Sequence, residues 1–476
     1  MSLRHSLLFI LAITVWRIVM LRFDTTDLFV DEAQYWFWAQ NLDFGYYSKP
    51  PMIAWVIRAI TGLAGSDSIF WIRIAGPLFH MATALVLMKA ARKIVGPEIE
   101  PWVGATFITL PAVSLSSVLF STDTVLFLFL AIGLWAYFGL TKQKSVALAL
   151  LMGVSFGLAF MSKYAILFVV PGGLIALILL PSARIAWRDF IVAVVAAIVF
   201  AAPNLWWNLT HDITTVRHTE DIANWNSLHV DIAGGAEFLL AQFGVVGPVI
   251  FFAMLWAAYR MFRRIGDERE WLLVLLSVPV VLLITFQALV ANAYANWAVT
   301  AYAAGTIVAV WLLQRETKHG LRNSLIINLI PAIAIPLLTV FAHDLVLPNG
   351  EQVMKRYLGR SDLSHEVADL ARQSGTDIIV SDNRELLADL FYTLRDEPLR
   401  IYARRFAGFP SSYYEQEFAL PDDEKAPAVL YVTRSPLTCA AGQVETVKTW
   451  QPTAGYLRGR TIYTYRVEPR CLKPQS

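Results

Sequence analysis

The sequence predicts a polytopic α-helical membrane protein with about 11 spans and a small C-terminal extracytoplasmic α/β domain. Of the 476 residues, 57% are hydrophobic and 16% are charged, whereas soluble globular proteins carry about 25% charged residues. After residue 345 the charge rises and the apolar runs shorten to strand length, which predicts the separate α/β domain. The net charge of +2, without a basic stripe, argues against nucleic-acid binding.

The spans are predicted from apolar runs of about 17–23 residues in the transmembrane domain, residues 1–345. The first run follows Arg4 and lacks a small-residue cleavage site, so we interpret it as an uncleaved span rather than as a signal peptide. The predicted spans are 6–22, 70–88, 102–119, 123–140, 145–161, 164–181, 189–205, 236–258, 270–289, 297–313 and 323–342.

The positions of Lys and Arg predict the orientation of these spans. With Arg4 in the cytoplasm and alternating spans, the basic connections, such as 89–93 and 260–264, all fall on the cytoplasmic side. The outer loops are then 23–69 and 206–235, and the tail after residue 343 is extracytoplasmic. This topology places the polar residues of interest on the outer side: Asp31, Lys49, Asp123, Lys163 and His211.

The first outer loop contains a further predicted helix. Residues 51–63 show helical spacing of apolar side chains, with Arg58 on the opposite side. Such a helix either lies on the outer leaflet or packs onto the helix bundle, and the pattern is compatible with both.

The C-terminal domain, residues 346–476, alternates strand and helix patterns. Residues 377–381 and 428–433 are typical of short strands, and residues 383–392 are typical of an amphipathic helix. Cys439 and Cys471 both fall in this domain. They either pair in an oxidising compartment or remain two thiols.

The stretch from Val30 to Pro51 is the first candidate for chemistry. Asp31 and Glu32 open an aromatic run that includes Tyr35. A carboxylate at this position can act as a general base on an acceptor, and we predict that Glu32 and Tyr35 bind substrate. The structural alternative is that Asp31 caps a helix.

A Lys on a proline-locked turn follows. Tyr46 and Tyr47 precede Lys49, which two prolines follow, so the ammonium is held on a stiff turn. A fixed Lys can bind a phosphate as a point charge, and the two tyrosines are predicted to bind substrate. The alternative is a Lys that reaches toward lipid headgroups.

Other candidates are spread along the spans. Asp123 begins a span, where it is either functional or a helix cap stabilised by the dipole. Lys163 lies between two spans, and Arg73 just inside a span indicates a polar cavity. His211 and Arg217 follow the pair Trp206 and Trp207. They are predicted to bind substrate, although Trp at this level is often an interfacial belt residue.

The chain lacks a Walker A motif and the glycine fingerprint of dinucleotide-binding folds. A donor already in the membrane is therefore favoured over a nucleotide. We assign no metal ligands and no certain cofactor, and leave a divalent metal open.

Taken in order, these residues resemble the C-type integral-membrane glycosyltransferases (glycosyltransferase family 39-like). The likeness is to the bacterial relatives of protein O-mannosyltransferases and of the aminoarabinose transferase that modifies lipid A. It rests on Asp31–Glu32 after the first span, Tyr46 to Pro50, Asp123, Ser162–Lys163 and Asn296–Trp297.

The resemblance implies a sugar donor on polyprenyl phosphate and inversion at the anomeric carbon. It implies that Asp31 is the catalytic carboxylate, Asp123 a second functional carboxylate, and Lys49 and Lys163 the residues facing the donor phosphate. Gln34 stands where the aminoarabinose transferase has Arg, and Ser48 where it has an acidic residue. These departures leave open that particular sugar and acceptor, and also any metal held by the acidic residue.

We therefore predict an inverting glycosyltransferase of the bacterial inner membrane. It would move a sugar from a polyprenyl-phosphate donor to lipopolysaccharide, lipid A, another glycan or a protein on the periplasmic side. The alternative is a transporter or a lipid-sugar flippase, which would show broken helices and charges near the bilayer midplane. The charges here gather at one predicted face, which favours the enzyme.

Overall fold

The computed structural model describes residues 1–223, 230–439 and 442–473. It is mostly helical, with one small sheet. In chain order the helices are α1 (Leu3–Arg22), α2 (Val30–Gln40), α3 (Met52–Ala64), α4 (Ile69–Arg73), α5 (Ala75–Ile94), α6 (Glu100–Thr109), α7 (Pro111–Leu115), α8 (Thr122–Leu140), α9 (Val146–Ser162), α10 (Val169–Leu179), α11 (Trp187–Thr210), α12 (Thr214–Ala223), α13 (Ile232–Val246), α14 (Pro248–Phe262), α15 (Glu268–Leu275), α16 (Val278–Val290), α17 (Ala301–Glu316), α18 (Gly320–Val340), α19 (Arg360–Gln373), α20 (Arg384–Thr393) and α21 (Tyr413–Glu417).

The chain divides into two compact units. The first comprises Met1–Arg22, Asp43–Ser66 and Phe70–Leu337, and the second comprises Phe23–Leu42, Asp67–Ile69 and Leu338–Ser476. We call them the helical unit and the mixed unit. The predicted boundary at 345/346 follows the linear sequence, whereas the mixed unit also takes in two short segments from the predicted first outer loop.

In the helical unit, α5, α8, α9 and α11 pack side by side. Helix α8 is apolar on all sides and largely buried, as expected for the centre of a bundle. Six helices, or seven with the bent pair α13–α14, are long and apolar enough to cross a bilayer in the described part of the chain. The predicted number of about 11 spans stays a prediction.

Several of the predicted spans are interrupted, among them 236–258 and 102–119. The predicted span 236–258 bends by 118° between α13 and α14. Gly247 at the bend has a φ of 88°, and Pro248 starts the next helix, so the backbone cannot continue straight. The predicted span 102–119 is divided at Leu110, which precedes Pro111.

The predicted helix in the first outer loop is α3. It contacts α5, α8 and α9 of the same unit and buries Met52, Ile53 and Ile57. Gly65 ends the helix in a left-handed conformation, with a φ of 63°. The structure therefore shows the packed alternative of the two that the pattern allowed.

The mixed unit has a five-stranded sheet with the order β2-β1-β3-β5-β4. The strands are β1 (Ile378–Ser381), β2 (Arg400–Ala403), β3 (Val429–Thr433), β4 (Val444–Trp450) and β5 (Ile462–Val467). Strands β2, β1 and β3 are parallel, and β5 is antiparallel to β3 and β4. Strands β1 and β3 and helix α20 confirm the three predicted elements within a residue or so.

The two cysteines of the mixed unit form a disulfide. Cys439 follows β3 and Cys471 follows β5, and their Cα atoms lie 5.5 Å apart. Of the two states that the sequence allowed, the structure shows the paired one.

Helix α2 packs on α20 inside the mixed unit, through aromatic rings. The ring of Phe37 lies 4.4 Å from Phe391, 5.6 Å from Tyr414 and 4.9 Å from Phe418. Trp36 meets Tyr392 edge to face at 4.9 Å. The aromatic run after the first span is thus part of the core of this unit.

A buried ionic cluster joins the start of α19 to α20. Arg360 donates from Nη1 to Asp389 at 3.3 Å and from its backbone N–H to Asp27 at 2.8 Å. Its guanidinium lies 3.7 Å from the ring of Tyr456. Burial raises the pKa of the Asp389 carboxyl to about 8, although Arg360 opposes the shift.

We expect the mixed unit to lose stability as pH rises. The pKa of Asp389 is about 8 in the folded state and has the ordinary value of 3.8 in the unfolded state. The protonated carboxyl therefore contributes its full stabilisation below pH 3.8, and this contribution is lost as the pH rises through about 8. One such group changes the free energy of unfolding by at most about 1.4 kcal/mol per pH unit. Asp389→Asn should flatten this dependence in calorimetric unfolding of the purified protein between about pH 5 and about pH 8.

The matched control is Asp369→Asn, since the Asp369 side chain is 63% exposed on neighbouring α19. It should keep the wild-type pH dependence. Equal slopes for wild type and Asp389→Asn would contradict the assignment of a raised pKa to Asp389.

Candidate active site

Asp123 and Lys163 form an ion pair in the helical unit. Lys163 donates from Nζ to Asp123 Oδ1 at 2.6 Å, and Asn296 donates from Nδ2 to Asp123 Oδ2 at 2.9 Å. The Asp123 and Lys163 side chains are only 10% and 13% exposed. Asp123 is the second residue of α8, where the helix dipole stabilises a carboxylate. The structure thus brings together two predicted site residues.

The Lys163 ammonium has three N–H donors, and one of them goes to Asp123. A charge that is largely withdrawn from water needs further polar partners. A phosphate placed here would gain charge-assisted hydrogen bonds while Asp123 keeps the ammonium oriented.

An apolar groove is lined in part by residues close to Lys163 in the chain. It has a volume of about 380 Å³ and is lined by residues of α8, α9, α10 and α11. Phe160 and Ile166, three residues before and after Lys163, belong to the lining, as do Phe156 and Leu205. The wall is made of aliphatic and aromatic side chains, which suits a hydrocarbon chain and not a polar ligand.

The loop that carries Lys49 is tightly folded. Tyr46 donates its backbone N–H to the Lys49 carbonyl at 3.2 Å, and the Tyr46 hydroxyl accepts from the Asp43 N–H at 3.0 Å. Thr215 donates to the Tyr46 carbonyl at 2.8 Å. Tyr46, Tyr47 and Ser48 are buried, and Lys49 is half-buried. The predicted stiff turn is therefore present.

Helix α11 fastens this loop to the turn that carries Lys163. Asn204 donates to the Phe44 carbonyl at 2.8 Å and accepts from the Tyr164 hydroxyl at 2.7 Å. Trp207 donates from Nε1 to Asp43 at 2.7 Å. The lysine loop and the residue next to Lys163 are thus held by the same helix.

The remaining predicted residues of this unit lie around the same loop or in the core. His211 is exposed, stacks on Trp207 at 4.2 Å and ends α11. The ring of Tyr47 lies 4.9 Å from His218, and Arg217 beside it is exposed. Arg73 is fully buried, as an intramembrane cation facing the bundle interior would be.

Asp31, Glu32 and Tyr35 lie on α2 in the mixed unit. Arg384 donates from Nη2 to Asp31 Oδ1 at 2.5 Å and from Nε to Gln34 Oε1 at 2.7 Å. Glu32 is buried and accepts from the Phe29 N–H at 3.0 Å, and Tyr35 is buried against Trp38. Asp31 does not cap α2, because it lies inside the helix. The side chain of Glu32 accepts from the N–H of the N-cap residue Phe29 instead.

Sequence reasoning missed two of these partners. Asn296 contributes to the family resemblance with Trp297, but the sequence assigns it no role in the site. Arg384 lies in the amphipathic helix of the C-terminal part, 353 residues from Asp31, where no local pattern links the two. Among the described residues, groups of three or more His, Cys, Asp and Glu that could hold a metal ion are absent.

Replacing Gly45 by Ala should loosen the lysine loop. A Cβ at Gly45 would overlap the Trp207 ring and lie 2.9 Å from the Asn204 amide. Such overpacking costs about 1–3 kcal/mol. We expect lower thermal stability and lower activity in membranes that contain Gly45→Ala.

The control is Gly62→Ala in α3, where a Cβ meets nothing within 4 Å. A helix gains about 0.5–1 kcal/mol from this change. Activity and stability of Gly45→Ala equal to those of Gly62→Ala would show that the contact with Trp207 does not hold the loop.

Comparison with known proteins adds to this geometry. Residues 48–207 match the family model for dolichyl-phosphate-mannose-protein mannosyltransferases. The chain is 65% identical over 474 residues, covering 100% of both chains, to the lipid A galacturonosyltransferase RgtD of Rhizobium johnstonii. It is 29% identical over 188 residues, or 38% of this chain and 37% of the relative, to the lipopolysaccharide core galacturonosyltransferase RgtA of the same organism.

The fold is similar to that of ArnT from Cupriavidus metallidurans, whose crystal structure contains undecaprenyl phosphate. The TM-score is 0.66 with 15% sequence identity, and the likeness covers 100% of both chains. Together with the long apolar helices, it establishes a multi-pass membrane fold.

Proposed function

Because this chain belongs to the family of membrane glycosyltransferases that includes the lipid A galacturonosyltransferase RgtD, we propose that it transfers galacturonic acid to lipid A. The observation that carries the proposal is 65% identity over the full length of both chains. Membership in a family of glycosyltransferases also favours an enzyme over the transporter or flippase that the sequence left as the alternative.

We propose that the donor is a sugar on polyprenyl phosphate. The apolar groove lined by Phe160 and Ile166 suits part of a hydrocarbon chain, and the Lys163 ammonium would bind the phosphate. The ArnT crystal structure with undecaprenyl phosphate is in keeping with a lipid-linked donor. We place the reaction on the periplasmic side of the inner membrane, on the basis of the distribution of Lys and Arg.

In the proposed reaction, Asp31 accepts the proton of the acceptor hydroxyl. The hydroxyl oxygen forms a bond to the anomeric carbon from the face opposite the phosphate, and the bond between that carbon and the phosphate oxygen breaks. The configuration is therefore inverted, and polyprenyl phosphate leaves with the electron pair. Proton acceptance by a positioned side chain contributes typically about 10²–10⁴-fold to a rate.

Lys49 and Lys163 are proposed to neutralise the charge that grows on the leaving phosphate. Such electrostatic stabilisation is usually the largest single contribution in an active site. Asp123 and Asn296 orient Lys163 through the bonds described above. Arg73, Tyr46, Tyr47, His211 and Arg217 of the helical unit, with Glu32 and Tyr35 on α2, remain proposed substrate-binding residues.

The experiment that tests the function is mass spectrometry of lipid A. A strain that lacks this gene should lose the species that carry a hexuronic acid, and the wild-type gene should restore them. Asp31→Asn should fail to restore these lipid A species, because an amide does not accept a proton at physiological pH. Unchanged lipid A in the deletion strain would refute the proposed substrate, and restoration by Asp31→Asn would refute the proposed base.

Lys163→Ala should slow transfer from a polyprenyl-phosphate donor in isolated membranes. Loss of one such electrostatic contact costs about 2.7–4 kcal/mol, or about 10²–10³ in rate. Lys163→Ala leaves the Asp123 carboxylate without the cation that neutralises it. Lys163→Met combined with Asp123→Asn therefore serves as a second variant, which lacks the unpaired charge. Exposed Lys142 provides the control variant, Lys142→Ala.

Donor affinity and rate that remain at the wild-type level in both Lys163 variants would contradict the phosphate assignment. Lys142→Ala should behave as wild type in the same membranes.

A further inference from the structure

We propose that Arg384 is a positioning residue for Asp31, so that the mixed unit contributes directly to the chemistry. Arg384 would hold the Asp31 carboxylate in one orientation and in its ionised form. The inference rests on the proposed function, in which Asp31 accepts the proton of the acceptor.

Two side chains accept hydrogen bonds from the same edge of the Arg384 guanidinium. Nη2 of Arg384 donates to Asp31 at 2.5 Å, and Nε donates to Gln34 at 2.7 Å. Asp31 and Gln34 are three residues apart on α2 and therefore share a helix face. Because the guanidinium is planar and its donors are fixed, the amide of Gln34 sets the plane in which Asp31 is held.

Gln34 is 1% exposed. Because its amide is neutral, it fixes the guanidinium without neutralising the positive charge that faces Asp31. The Asp31 side chain is 44% exposed. One partner of Arg384 is thus buried in the unit, while the other keeps surface that an acceptor can reach. This difference in exposure is expected if Gln34 fixes the guanidinium and the guanidinium in turn positions Asp31.

The place of Arg384 in its helix argues against a role in helix stability. It is the first residue of α20, and the positive end of the helix dipole disfavours a cation there. The cap is provided by Asn383, whose side chain accepts from the N–H groups of Glu385 and Leu386. Arg384 is therefore placed against the local preference, and the carboxylate of Asp31 compensates for it.

The surroundings of Arg384 favour its ionised form. Burial lowers the pKa of Arg384, but the Asp31 carboxylate overrides this effect and the pKa is raised above its ordinary value. Tyr35 on α2 and Tyr414 on α21 also face Arg384, and burial raises the pKa of Tyr414.

The other charged groups near this end of α20 have partners of their own. Glu385 lies 3.9 Å from Arg434, and Asp389 lies 3.3 Å from Arg360. Arg384 donates to Asp31 instead.

The test measures transfer to lipid A against pH in membranes that contain the full-length chain. Arg384→Gln should lower kcat about 10- to 100-fold, as expected for a lost hydrogen bond to a charged group. It should also move the acid limb of the kcat profile to higher pH, because Asp31 takes up a proton more readily without the guanidinium. Arg384→Lys keeps the charge and should keep the wild-type limb, with a lower kcat because one ammonium cannot serve both partners.

The matched control is Arg434→Gln, which removes a cation beside the next residue of the same helix. It should change neither kcat nor the pH profile. Thermal unfolding of each variant separates misfolding from loss of positioning. If Arg384→Gln does not fold, Arg384→Lys decides: a kcat equal to that of wild type overturns the inference.

The failure of this inference differs from the failure of the proposed function. An inactive Asp31→Asn with an unshifted pH profile for Arg384→Gln overturns only the role of Arg384. An active Asp31→Asn overturns the proposed base itself. A shifted limb in Arg384→Gln, with the wild-type limb in Arg384→Lys and Arg434→Gln, supports the inference.

Discussion

The packing of helix α2 on helix α20 is the interaction on which the surroundings of Asp31 depend. Phe37 enters a group of rings formed by Phe391, Tyr414 and Phe418, at centroid distances of 4.4–5.6 Å. Each such pair is worth about 0.5–1.5 kcal/mol beyond its burial. The face of α2 next to these rings carries Asp31 and Gln34 to Arg384. Without the aromatic contact, the carboxylate would lose its hydrogen bond from Arg384.

In the helical unit, the comparable constraint is α11. Its Asn204 and Trp207 hold the loop of Lys49 on one side, and Asn204 holds Tyr164, next to Lys163, on the other. These hydrogen bonds hold the two segments that carry Lys49 and Lys163 on the same helix. Pre-organised charges stabilise developing charge without having to reorient during a reaction, which is the role proposed for Lys49 and Lys163.

Much of this arrangement is predictable from the sequence, because it is local. The apolar period gives the helices, and the strand patterns of 377–381 and 428–433 give β1 and β3. The sequence places Asp123 and Lys163 at span ends on the same predicted face, whereas their ion pair is seen only in the structure. What the sequence does not reveal is long-range. Arg384 reaches Asp31 across more than 350 positions, and the assignment of α2 to the mixed unit depends on aromatic packing that periodicity does not encode.

The covalent link between Cys439 and Cys471 joins the segment after β3 to the segment after β5. Crosslinks of this type persist in oxidising compartments and are rare where glutathione keeps thiols reduced. Biogenesis of this protein therefore involves two separate steps, insertion of apolar helices into a bilayer and thiol oxidation of the C-terminal sheet. Expression in a host that keeps the two cysteines reduced would allow insertion of the helices but not formation of the disulfide.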